Sequence, residues 1–151
     1  MISLIITVLN EKHNLSEWLA HIKKQTVLPD EIVIVDGGST DGTWEWLKKQ
    51  EDNTLRVFQK QGNISSGRNE AIRNAKGDVI VVTDAGCLYD KTWFEKITKP
   101  FFKDQATFVA TAFGPWLEKK DNISKYLISA VTTPASHEFR KDWLPSSRSV
   151  A

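Results

Sequence analysis

The chain has 151 residues, 40% of them hydrophobic and 26% charged, which suits one folded domain over 1–151 and excludes a disordered or fibrous polypeptide. Twenty Lys and Arg against nineteen Asp and Glu leave a net charge of +1, so the broad positive field that holds a nucleic acid is missing and any phosphate recognition has to be local. Cys87 is alone and has no internal disulfide partner, and the apolar start is too short for a membrane span and lacks the basic flank of a leader. The expectation is a cytoplasmic protein, peripheral to a membrane at most.

Ile2 to Leu9 is a nearly continuous, β-branched apolar run, the pattern of a strand covered on both faces. Leu15, Trp18, Leu19 and Ile22 then recur at helical spacing, and Pro29 helps end that connection. Glu31 to Asp36 predicts a second strand that stops on an aspartate. Trp44, Leu47 and Lys48 predict a short helix, and Leu55 to Phe58 a weaker strand. Ser65 to Ala75 predicts a helix stopped by Gly77 as its C-terminal cap, and Asp78 to Asp84 another apolar strand with an aspartate at its end. Trp93, Phe94 and Ile97 predict a further helix, Thr107 to Phe113 a strand, and Ile123, Tyr126, Leu127 and Ala130 one face of a last helix.

This alternation implies right-handed crossovers and an α/β fold with a mainly parallel central sheet, whose ligands bind beyond the carboxyl ends of the strands. The strand-ending aspartates fall there. The segment Asp36-Gly37-Gly38-Ser39-Thr40-Asp41-Gly42-Thr43 reads either as a tight turn with Ser39, Thr40 or Asp41 capping the next helix, or as a loop that lets a ligand approach its backbone. Gly67-Arg68-Asn69, opening the third helix, offers free amides and a guanidinium suited to phosphate oxygen; the plainer reading is a solvated surface arginine. Asp84-Ala85-Gly86 places a carboxylate where a nucleotide or a hard cation is held, or caps its own turn. Cys87 reads as a packing residue, and His13, His21 and His137 form no metal motif, with His21 expected on the exposed side of the first helix. Trp116, after Gly114-Pro115, is a candidate sugar-binding wall. Lys141 to Ala151 stops without closing an element, which favours a chain cut before a further strand or helix over an ordinary frayed terminus.

Taken together, Thr7-Val8-Leu9-Asn10-Glu11, Val35 to Thr43, Gly67-Arg68-Asn69 and Thr83-Asp84-Ala85-Gly86 resemble family 2 glycosyltransferases in order and spacing, over essentially the whole chain and most strongly from residue 2 to about residue 90. The resemblance implies the three-layer, Rossmann-like nucleotide-diphospho-sugar transferase (GT-A) fold. It implies transfer of a sugar from a nucleotide diphosphate to an acceptor hydroxyl, with inversion, the acceptor being a saccharide, a lipid-linked saccharide or a protein. By the same resemblance Thr7, Leu9 and Glu11 lie around the base, Asp36 near base or ribose, Arg68 near the diphosphate, and Asp84 at the ribose and at a Mg2+ or Mn2+ ion. The chain departs from the family pattern at Leu9, where many relatives carry an aromatic residue, at Gly37, where many carry a second acid, and at Gly86, where many complete an Asp-x-Asp. No general base is assigned: in similar enzymes that acid lies well downstream of the segment resembling Asp84, beyond most of these residues, and Glu118, Asp121 and Glu138 are candidates with no motif behind them. A noncatalytic nucleotide-sugar-binding or partner-binding domain is the alternative, whereas a sugar nucleotidyltransferase would carry a glycine-rich basic loop where this chain has Leu9-Asn10-Glu11-Lys12.

Overall fold

The computed structural model describes residues 1–87 and 89–103. Strand and helix alternate through them: β1 (Ile2–Val8), α1 (Lys12–Lys23), β2 (Glu31–Asp36), α2 (Thr43–Lys48), β3 (Leu55–Gln59), α3 (Ile64–Asn74), β4 (Val79–Thr83) and α4 (Trp93–Lys103). The four strands are the apolar runs predicted from sequence, and they form one parallel sheet in the order β3-β2-β1-β4. β1 is flanked on both sides, which is why its run is apolar at nearly every position.

Alternation along the strands divides the core in two. Ile2, Leu4, Ile6 and Val8 pack with Leu15, Trp18, Leu19 and Ile22 of α1, Leu47 of α2, and Phe94 and Ile97 of α4. Ile5, Val33 and Val35 face the other way, toward Ala71 of α3. The result is three layers, with helices on both faces of the sheet.

From β1 the chain steps outward to β2 and β3, then crosses back to the far side of β1 to lay down β4. This reversal opens a crevice between the carboxyl ends of β1 and β4, the position at which parallel sheets of this kind bind their ligands.

Several local expectations are corrected. β1 ends at Val8, so Leu9 lies outside the strand. α3 starts at Ile64, with Asn63 as its cap accepting from the Ser66 amide at 2.9 Å, so Gly67 and Arg68 sit past the first turn. The Gly67 amide is already bonded to the Asn63 carbonyl at 3.1 Å and is no free phosphate donor. Gly77 is not the C-terminal cap either: α3 closes at Ala75 in extended conformation, and Gly77 instead lies tight against β1. Cys87 is exposed, because the turn after β4 carries it out of the core. His21 is half-buried, its Nδ1 3.4 Å from the Tyr89 carbonyl. The strand expected at Thr107 to Phe113, the last helix, Trp116, His137, the downstream acids and the tail lie outside the described residues.

Candidate functional site

Two loops at the carboxyl end of the sheet are laced together. After β1 the chain turns sharply at Asn10, whose φ of 56° is one that asparagine tolerates better than most residues. The Asn10 amide donates to Ser39 Oγ at 2.8 Å, and its side-chain oxygen accepts from the Thr40 amide at 2.9 Å. The Glu11 amide donates to Thr43 Oγ1 at 3.0 Å, and the Lys12 amide to Asp41 Oδ2 at 3.2 Å. Asp41 also accepts from the Thr43 amide at 3.0 Å, so one carboxylate serves the first turns of α1 and α2 together. The Thr43 hydroxyl bond foremost, with these amides, holds the Asp41 carboxyl below the usual carboxylate range.

Asp36 is the knot beneath these loops. It is fully buried and accepts from the Gly38 and Ser39 amides, each at 3.1 Å, from the Ser39 hydroxyl, and from Gln59 Nε2 at 3.0 Å. Its carboxylate is thereby engaged inside the protein, and it holds Gly37, whose amide bonds the Val8 carbonyl at 2.8 Å, at the surface.

Above this floor lies an open cleft of about 620 Å³, bounded by the ends of β1, β2 and β4 and the start of α3. Of the six residues singled out in the sequence, Thr7, Leu9, Glu11, Arg68 and Asp84 line it; Asp36 does not. Arg68 and Asp84 meet across it, Nη2 to Oδ1 at 3.5 Å. Gly67 lets α3 approach β1 closely: a Cβ there would stand 3.1 Å from Thr7 Cγ2. Two residues that line the cleft each carry a buried polar atom without a hydrogen-bond partner among the described residues, Thr7 Oγ1 and Arg68 Nε.

The sequence reading missed Ile64 and Tyr89. Ile64 lines the cleft and is 65% exposed, as Leu9 is at 56%, so two aliphatic side chains stand open to a ligand's apolar surface. An apolar residue left exposed just after the Asn63 cap is the one signal that could have drawn attention to it. Tyr89 props the turn that carries Asp84: its hydroxyl contacts Thr83 Oγ1 and lies 3.4 Å from both the amide and the carbonyl of Asp84. Its ring lies 4.1 Å from that of Trp93, and burial raises the phenol above its usual range. Nothing in the spacing of residues 84 to 93 announces this contact.

The model of Glycosyl transferase family 2 matches residues 3–146. The chain belongs to that family. Among similar proteins, GlyG, a glycosyltransferase of Streptococcus pneumoniae, is 28% identical over 131 residues, covering 84% of this chain and 44% of its own. Of solved structures, S. aureus TarS 1-349 in complex with UDP-GlcNAc superposes with a TM-score of 0.57 at 28% identity, covering 68% of this chain and 31% of that one. Mannosyltransferase PcManGT from Pyrobaculum calidifontis, in complex with GDP-Man and Mn2+, gives 0.50 at 31% identity over 60% of this chain and 29% of that one. The chain thus spans less than half the length of GlyG and about a third or less of these two structures. The parallel three-layer sheet and these neighbours establish the GT-A fold.

One of these neighbours, PcManGT, holds Mn2+ beside its nucleotide sugar. Among the described residues no three His, Cys, Asp or Glu side chains gather as a ready-made cage. Asp84, 43% exposed at the cleft, would offer a single hard oxygen donor. That donor set fits Mg2+ or Mn2+ when the remaining oxygens come from phosphates and water. No helix among the described residues is long and apolar enough to cross a membrane.

Proposed function

We propose that this chain forms the donor site of a glycosyltransferase that moves a sugar from a nucleotide diphosphate to an acceptor hydroxyl with inversion at the anomeric carbon. The observation that carries the reading is the meeting of Arg68 and Asp84 across a cleft at the β1/β4 reversal, in a chain of family 2. The nucleotide sugars held by the solved neighbours supply the ligand class.

In this reading the base lies on the aliphatic surface of Leu9 and Ile64, with Thr7 and Glu11 in the wall around it. Asp36 acts from below by fixing the loop that presents Gly37. Departure of the nucleoside diphosphate develops negative charge on its phosphate oxygens. The Arg68 guanidinium, planar and permanently charged, meets that charge with paired N–H donors. Asp84 is the residue that would hold Mg2+ or Mn2+ and the ribose; the bound cation would supply further neutralisation of the diphosphate.

Calorimetry with UDP and GDP, each with and without Mn2+, tests the assignment. Binding of at least one nucleotide is expected, and Arg68→Gln is expected to weaken it about tenfold or more, the worth of lost charge-assisted hydrogen bonds. Absence of heat at millimolar ligand, or full affinity in Arg68→Gln, overturns it. A panel of nucleotide sugars assayed for nucleoside diphosphate release separates the enzyme from a noncatalytic binding domain, which would bind and release nothing.

A further inference from the structure

We propose that the Arg68–Asp84 ion pair is a latch that couples the two charged ligands of the cleft: a diphosphate takes the guanidinium, a divalent cation takes the carboxylate, and each frees the other's binding group. The inference rests on the donor-site reading above and goes beyond it by giving the pair a regulatory role.

Both groups line one cleft and lie 3.5 Å apart, with side-chain exposures of 28% for Arg68 and 43% for Asp84. Neither makes another ion pair or a hydrogen bond to a charged side chain among the described residues, so each is the other's charge partner. Arg68 Nε, buried and without a hydrogen-bond partner there, shows the guanidinium only partly satisfied by Asp84. A long single contact between half-exposed groups is weak and exchangeable, unlike a bidentate buried pair. Glu11, the other carboxylate of the cleft, is engaged elsewhere: its Oε2 accepts from Asn14 Nδ2 at 2.7 Å.

In the free protein a diphosphate has to displace the Asp84 carboxylate from Arg68, and a cation has to bind a carboxylate that already faces a positive charge. Once either ligand is in place, the second meets a released partner. Such coupling is reciprocal by thermodynamic necessity. It differs from simple bridging of phosphate by a metal, because it predicts an effect of Asp84 on diphosphate binding with no cation present at all, and of the opposite sign to the loss of a ligand.

The experiment is calorimetry with inorganic pyrophosphate, which has no ribose for Asp84 to hold, in the presence of a chelator, beside the UDP and GDP titrations. Asp84→Asn is expected to bind pyrophosphate about two- to fivefold tighter than the wild type, the range that release of an exposed ion pair allows. Adding Mn2+ is expected to strengthen binding in the wild type and to leave the variant nearly unchanged. In the reciprocal arm, Mn2+ binding without nucleotide, read by electron paramagnetic resonance, is expected to tighten in Arg68→Gln. Cation-free pyrophosphate affinity in Asp84→Asn that is equal to or below the wild type, or a gain no larger than that of Glu11→Gln, overturns the latch; so does unchanged Mn2+ affinity in Arg68→Gln. If Asp84→Asn does not fold, the Arg68→Gln arm decides alone. Failure of every form to bind either nucleotide, with or without Mn2+, overturns the donor-site reading itself.

Discussion

Glu31 lies buried at the amino end of β2, away from the cleft, and is tied from three elements. Its carboxylate accepts from Ser3 Oγ of β1 and from Arg56 Nη2 of β3, each at 2.6 Å, and from the Lys76 amide just past α3. Burial pushes the Glu31 carboxyl upward, but the Ser3 hydroxyl, the Lys76 amide and the Arg56 guanidinium outweigh it and hold the group below its usual range. A carboxylate depressed in the folded state stabilises the protein above its unfolded pKa of about 4.3, and that contribution is lost as pH falls through the lower folded value. Glu31→Gln is expected to cost about 1–3 kcal/mol near neutral pH in urea unfolding, and to flatten the loss of stability below about pH 4. An unchanged acid limb would show that Glu31 does not set it. The same kind of hydrogen-bond sink explains what was not legible at Asp36. A strand-ending aspartate followed by Gly-Gly-Ser serves a ligand or its own turn equally well in sequence, and only the structure shows its carboxylate accepting from the Gly38 and Ser39 amides. Asp84 was legible because it directly follows an apolar strand, whereas Arg68, the fifth residue of α3, rests on the resemblance and not on a helix start.

Gly77 carries the lesson of the elements. A Cβ at this position would stand 2.7 Å from the Ser3 amide nitrogen and 2.8 Å from the Met1 carbonyl oxygen, backbone atoms of β1 and its start. The bare α-carbon is what lets the link from α3 run flush against β1 before β4 begins, and the Gly77 amide donates to Ser3 Oγ at 2.8 Å. Gly77→Ala is expected to destabilise by about 1–3 kcal/mol through forced backbone displacement, lowering the urea midpoint with little change in slope. Gly86→Ala provides the contrast, since a Cβ there meets nothing within 4 Å, and it is expected to stay within about 0.5 kcal/mol of the wild type. Equal effects of the two would remove close approach as the reason for glycine at 77. The strands themselves were legible because β1, β2 and β4 are apolar runs that only a doubly covered sheet accommodates. The role of Gly77 was not, because a glycine after a helix reads as a cap unless the neighbouring strand is in view. The cross-loop capping of α1 by Asp41 was hidden for the same reason: its partner lies 29 positions away in sequence.

At the scale of the whole molecule, the cleft is not an appendage to the core. Thr7 and Val8 line it and belong to β1, the strand that pairs with both β2 and β4, and Asp84 directly follows β4. Val35 at the end of β2 belongs both to the cleft wall and to the layer beneath α3. A ligand that ties Arg68 of α3 to the end of β4 therefore braces one helical layer against the sheet. Binding to the native state alone adds about 2.7 kcal/mol of stability at a ligand concentration one hundred times its Kd. For a domain of this size that corresponds to a rise of about 5–10 °C in Tm. We expect UDP or GDP at that saturation to produce such a rise by scanning calorimetry, and Arg68→Gln to remove about half of it or more at the same ligand concentration. Hydrogen exchange is expected to slow in β1, β4 and the first turns of α3 together, because opening any one of them dissolves the cleft. Protection confined to the loop from Leu9 to Lys12 would show instead that the ligand rests on the rim without bracing the layers, and would contradict a site shared among β1, β4 and α3.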